Sequence, residues 1–118
     1  MALPRRALLV ACLGLLLGGC GGGASVDAAP GTVVMTDFAF NPRDVEASRG
    51  ETLTVLNDGG VAHNLTVERG SARIAGTPSF LAGDRERLRI DLPPGRYRTL
   101  CTVPGHERLG MTGTVTVR

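Results

Sequence analysis

Between Cys101 and Met111 the chain reads CTVPGHERLGM, a thiol, an imidazole and a thioether at the spacing C-x4-H-x4-M. Such side chains are scarce in this protein, which has two histidines (His63 and His106), three cysteines and three methionines. Thiolate and thioether sulfur are soft donors that suit Cu(I), whereas imidazole suits several first-row metals in more than one oxidation state. Taken singly, each residue has an ordinary structural reading. A lone histidine is commonly a surface or satisfied core group, and Cys and Met are common core fillers. Met35, inside the apolar run TVVM, is read in that way.

The joint pattern changes the balance. Two histidines and a cysteine with a weak axial methionine form the ligand set of a blue-copper electron-transfer site. Cys101, His106 and Met111 would come from one loop and His63 from a distant strand. A loop can turn such donors onto one ion only if it bends between them. Pro104-Gly105 supplies a bend between Cys101 and His106, and Gly110 another just before Met111. A structural zinc site is the weaker alternative, because Met is a poor zinc ligand and the spacing has no zinc-finger form. A cysteine nucleophile is weaker still, since no oxyanion or substrate motif accompanies Cys101.

The other cysteines are accounted for at the N-terminus. MALPRRALLVACLGLLLGG, residues 1–19, has a basic start at Arg5-Arg6 and then an apolar run. That run falls short of the roughly 20 apolar residues of a spanning helix and has the form of an export signal. Leu17-Gly18-Gly19-Cys20 resembles a bacterial lipobox, which makes Cys20 the expected lipidation site and Cys12 part of the removed segment. Cys101 is then the only thiol of the mature chain, and an exported thiol without a partner is buried, paired between molecules, or held by a metal. Residues 20–31, CGGGASVDAAPG, form a Gly/Ala-rich tether with a mean reach of about 20 Å.

Losing Arg5 and Arg6 leaves eleven basic against eleven acidic residues, so the mature domain is formally neutral. With aromatics at 3%, nothing in this composition favours nucleic-acid binding.

The elements that must position the donors are β-strands. ETLTVLN places Leu53 and Val55 on one face, and HNLTV places His63, Leu65 and Val67 in phase. RERLRIDL alternates Leu88, Ile90 and Leu92 with outward arginines. GRYRTLC aligns Tyr97, Thr99 and Cys101, and TGTVTVR aligns Val115 and Val117. TVVMTDFAF reads as one further strand-forming run, and turn signals separate all of these. The expectation is an all-β Greek-key sandwich or barrel of about seven to eight strands over residues 32–118. Residues 68–83 are the least regular and read as a loop or a turn of helix. The Pro-Gly turn before Tyr97 resembles the tyrosine corner of Greek-key sandwiches.

From FAFNP through the AHN segment to CTVPGHERLGMTGTVTV, the sequence resembles the cupredoxin family of plastocyanin-like, small type 1 blue copper proteins. The resemblance implies one copper ion held by His63, Cys101, His106 and, axially, Met111. It implies that Asn64 ties the two ligand loops together and gives its backbone N–H to the cysteine sulfur. The four-residue gap between Cys101 and His106 is similar to that of rusticyanin- and sulfocyanin-like members. Multicopper oxidases carry histidines beside the cysteine, where this chain has Leu100 and Thr102, and dinuclear copper centres need a second loop cysteine. The function implied is electron transfer rather than catalysis, in a monomer. It would work outside the cytoplasm, at the membrane through its lipid anchor, with protein redox partners such as a cytochrome or an oxidase or reductase complex. Electrons would pass through His106, within an apolar patch of Pro104, Gly105, Leu109 and Gly110. Copper delivery, storage or buffering is the alternative, disfavoured by the lack of Met- and His-rich segments.

Overall fold

The computed structural model describes residues 28–118. The expected signal segment 1–19, the lipidation candidate Cys20 and residues 21–27 of the tether lie outside the described residues. The described residues form nine strands: β1 (Thr32–Thr36), β2 (Ala39–Asn41), β3 (Asp44–Ala47), β4 (Thr52–Asn57), β5 (Thr66–Arg69), β6 (Ala72–Gly76), β7 (Arg85–Arg89), β8 (Gly95–Leu100) and β9 (Thr112–Val117). Its one helical element among the described residues is a 3-10 turn, Glu107–Leu109. No helix there is long and apolar enough to cross a membrane.

The strands make two mixed sheets, ordered β2-β1-β4-β7 and β3-β9-β8-β5-β6. β1 runs parallel to β4 and β3 parallel to β9, while every other pairing is antiparallel. The chain therefore crosses repeatedly between sheets, as a Greek-key sandwich requires. Alternation decides which side chains meet between the sheets. Leu53 and Val55, Leu65 and Val67, Leu88, Ile90 and Leu92, Tyr97 and Thr99, and Val115 and Val117 are all buried, in the phase their sequence predicts. Each large aliphatic side chain in that layer contributes about 1.5–3 kcal/mol of burial free energy. Met35 is fully buried among them, as core filling.

Three local expectations are corrected. TVVMTDFAF is two strands, because the chain reverses at Asp37-Phe38, where Phe38 takes a left-handed φ of 67°. HNLTV yields a strand only from Thr66, and His63 instead makes an isolated bridge to Phe80. Residues 68–83 contain β6, paired with β5 across a turn at Gly70. Ala72, Arg73 and Ile74 in β6 are all exposed, so no alternation marks this edge strand and the count rises to nine.

The tyrosine corner is present. Tyr97 donates its hydroxyl hydrogen to the Pro93 carbonyl at 2.5 Å. The same oxygen accepts a hydrogen bond from Arg69 at 2.9 Å, whose guanidinium lies 5.2 Å from the ring centroid. Replacing Tyr97 by Phe leaves a partly buried carbonyl and an arginine without this acceptor. A loss of about 1–2 kcal/mol is expected, read as a lower urea midpoint with an unchanged m-value.

Candidate metal centre

The centre is built at the end of the sandwich where β4 crosses to β5 and β8 connects to β9. The β8–β9 ladder continues one step past Leu100↔Thr112, as Cys101 N–H donates to the Met111 carbonyl at 3.1 Å. This closes a loop whose two mouth residues are both fully buried candidate ligands. Within it, His106 N–H donates to Val103 O at 3.0 Å and Met111 N–H to His106 O at 3.2 Å. Gly105 and Gly110 take left-handed φ values of 86° and 98°, so the two bends expected from sequence are where the loop turns. The curl brings His106 back over Cys101.

His63 arrives from the opposite side, held through backbone hydrogen bonds in both directions with Phe80, at 3.2 and 3.0 Å. Its Nδ1 lies 3.1 Å from His106 Nδ1 and 4.0 Å from Cys101 Sγ, and His106 Nδ1 lies 3.6 Å from Sγ. A triangle with these sides has a circumscribed radius of about 2.1 Å, within the roughly 2.0–2.3 Å span of metal–nitrogen and metal–sulfur bonds. One ion therefore fits all three donors at bonding distance without moving them. His63, Cys101 and Met111 are fully buried, whereas His106 is half-buried.

Asn64 does tie the loops, through its side chain. Its Nδ2 donates to Thr102 Oγ1 at 2.7 Å and its Oδ1 accepts from Thr102 N–H at 2.9 Å. Among the described residues no hydrogen bond runs from the Asn64 backbone to the sulfur, whose near polar neighbours are the two imidazoles. On the outer side of the loop Pro104, Gly105 and Gly110 are exposed and Leu109 is 61% exposed. Arg98 of β8 is bonded to Glu107 and Glu68, which raises the arginine's pKa and clamps the 3-10 turn to the sheet.

Two residues missed by sequence reading also belong to the site. Phe38 meets His63 and His106 edge-on, with centroid distances of 6.2 and 4.9 Å. Asp37 Oδ1 lies 3.0 Å from His63 Nε2 and accepts from Gly60 N–H at 2.9 Å. The hydrogen bond from His63, then that from Gly60, holds this carboxyl below the usual carboxylate range. An ionised carboxylate only accepts, so this oxygen is placed to take a hydrogen bond from His63 Nε2, on the side of the ring away from the centre. The one available sequence signal was Gly59-Gly60, which marks a close backbone approach beside His63.

A buried cysteine sulfur and two imidazoles on one point, with Cys101 and His106 on a loop that ends in the buried Met111, define a mononuclear copper site on a β-sandwich. The chain belongs to the family of copper binding proteins described as plastocyanin/azurin, which matches residues 31–118. It is 34% identical over 122 residues to the chloroplastic plastocyanin of Physcomitrium patens, covering 95% of this chain and 68% of that one. In fold it is similar to the dithionite-reduced auracyanin of Roseiflexus castenholzii, with a TM-score of 0.64 and 24% identity over 74% of this chain and 94% of that one. The purple cupredoxin of Nitrosopumilus maritimus gives a TM-score of 0.60 at 22% identity, over 74% and 98% of the two chains. His63, Cys101, His106 and Met111 are thus the site typical of a type 1 copper centre, and copper is its cofactor.

Replacing Asn64 by Ala removes both side-chain bonds between the ligand loops. The metal-free domain should lose about 1–2 kcal/mol in urea unfolding, and Thr102→Ala, which keeps the backbone bond, should lose less.

Proposed function

We propose that this protein is a one-electron carrier of the blue-copper type, exported and tethered at the membrane through Cys20, and serving membrane-associated redox partners. The observation that carries this reading is that three donors already converge at bonding distance on one point. Bound copper supplies the Cu(II)/Cu(I) couple; the chain's task is to keep its donors still while the charge changes. Backbone bonds from Cys101 to Met111, from Met111 to His106 and between His63 and Phe80 resist rearrangement in either state. The Asn64–Thr102 pair locks the loops to one another. Burial of Cys101 and Met111 keeps water from the sulfurs, which favours retention of the metal over its release. His106, the half-buried donor on the loop that exposes Pro104, Gly105 and Leu109, is the route for an electron to a docked partner.

Loading the mature domain with Cu(II) should give an intense blue absorption and a narrow copper hyperfine splitting by EPR, both lost in Cys101→Ser. A colourless loaded protein would sink the reading. A carrier should cycle reversibly with a cytochrome and keep its metal, whereas surrender of Cu(I) to a competing chelating protein would mark a copper donor. Cys20→Ala should move the protein from the membrane to the soluble fraction of cells expressing the full chain.

A further inference from the structure

An imidazole has two nitrogens, and the one that binds a metal is set by what the other bonds to. For His63 the outer partner is a side chain carrying a full negative charge, Asp37, at 3.0 Å from Nε2. Several features build this contact. Asp37 sits at the reversal between β1 and β2, where the next residue, Phe38, holds a left-handed φ of 67°. That conformation is unfavourable for a bulky residue and persists where the surroundings determine it, here with the Phe38 ring against His106.

The glycine turn is shaped around the same pair. A Cβ on Gly59 would lie 2.6 Å from Asp37 Oδ1 and 2.8 Å from His63 Nε2, so no other residue fits there without displacing the contact. Gly60 N–H then bonds to the same carboxylate oxygen. Asn57 fixes the turn from behind, accepting from Gly59 N–H and donating to the Val61 and Phe80 carbonyls, each at 2.9 Å.

We propose that Asp37 is a positioning residue of the copper centre: it holds His63 with its proton on Nε2 and its lone pair on Nδ1, and its charge biases the centre toward Cu(II). The second half rests on the copper reading above. A carboxylate behind a ligating imidazole makes that ligand more basic. Cu(II) carries one more positive charge than Cu(I), so a fixed negative charge stabilises it more and lowers the reduction potential. The Asp37 side chain is 47% exposed, so solvent and salt screening keep the effect modest.

Two substitutions separate the roles. Asp37→Asn keeps an oxygen acceptor and removes the charge. His63 should retain its tautomer, read from ring 15N shifts of the metal-free protein. The relative preference for Cu(I) should rise by up to about tenfold, equivalent to about 59 mV in a one-electron couple. Asp37→Leu removes the acceptor, and in the metal-free protein His63 should then sample both tautomers. Asp91→Asn, a charge change made next to Arg49, is the control and should leave the potential unchanged. An Asp37→Asn potential equal to the wild type, or matched by Asp91→Asn, overturns the charge role. An unchanged tautomer in Asp37→Leu overturns the positioning role. A wild-type domain that takes up no copper would instead refute the function proposed above, while the metal-free measurement would still decide the tautomer.

Discussion

The convergence of two histidine nitrogens and one cysteine sulfur within 4.0 Å of each other is the constraint around which this end of the molecule is arranged. Three polar groups capable of carrying charge are not brought together in a nearly dry place without strong scaffolding, since each loses hydration on burial. The scaffold is the sandwich. Its two sheets present His63 at a crossover and Cys101 at the end of a central strand, so the strand pairing fixes both positions before any metal enters. The loop from Cys101 to Met111 has then only to fold back, and Gly105 and Gly110 give it the two left-handed steps it needs.

The two histidines differ in how they are held, and that difference organises the site. His63 is held on several sides: it bonds to Phe80 through its backbone and to Asp37 through Nε2, and its Nδ1 lies 3.1 Å from His106 Nδ1. His106 belongs to a surface loop and is half-buried. Rigidity therefore enters from the His63 side and accessibility from the His106 side. Arg98 moderates the second, because its bond to Glu107 fastens the turn that follows His106 to β8. Phe38 sits between the two regimes, touching both rings from the β1–β2 reversal.

Most of the sandwich was legible because its core strands alternate. In β4 and β9 every second residue is buried, and Leu88 in β7 and Tyr97 and Thr99 in β8 keep the expected phase, so it could be read directly from the letters. What escaped was structure whose cause is tertiary. β6 exposes Ala72, Arg73 and Ile74 alike, and only its pairing with β5 makes it a strand. The break at Phe38 is invisible in a run of good strand formers, because the reversal is enforced by packing against histidines far along the chain. For the site, the donors were legible from rarity and spacing, as residues 32–118 hold one Cys and two each of His and Met. Asp37 was not, since carboxylates are common and its meeting with His63 depends on the fold.

The placement of exposed apolar side chains follows the same division of the molecule. Of the large hydrophobic residues left exposed among the described residues, Val61 lies two residues before His63, Leu81 follows the Phe80 that bridges to it, and Leu109 lies in the ligand loop. Ile74 on the β6 edge is the fourth. The apolar surface is thus concentrated in the segments that carry or brace the ligands, while the sandwich walls are polar. The chain enters the fold elsewhere. Gly31 is bonded to Thr54 at the start of β1, and Asp37 follows that strand's far end, about 17 Å away at 3.3 Å per residue. A tether attached before Gly31 would therefore hold the sandwich from the end remote from the copper loop. Under the proposed reading, this leaves His106 and its apolar surround facing away from the point of attachment.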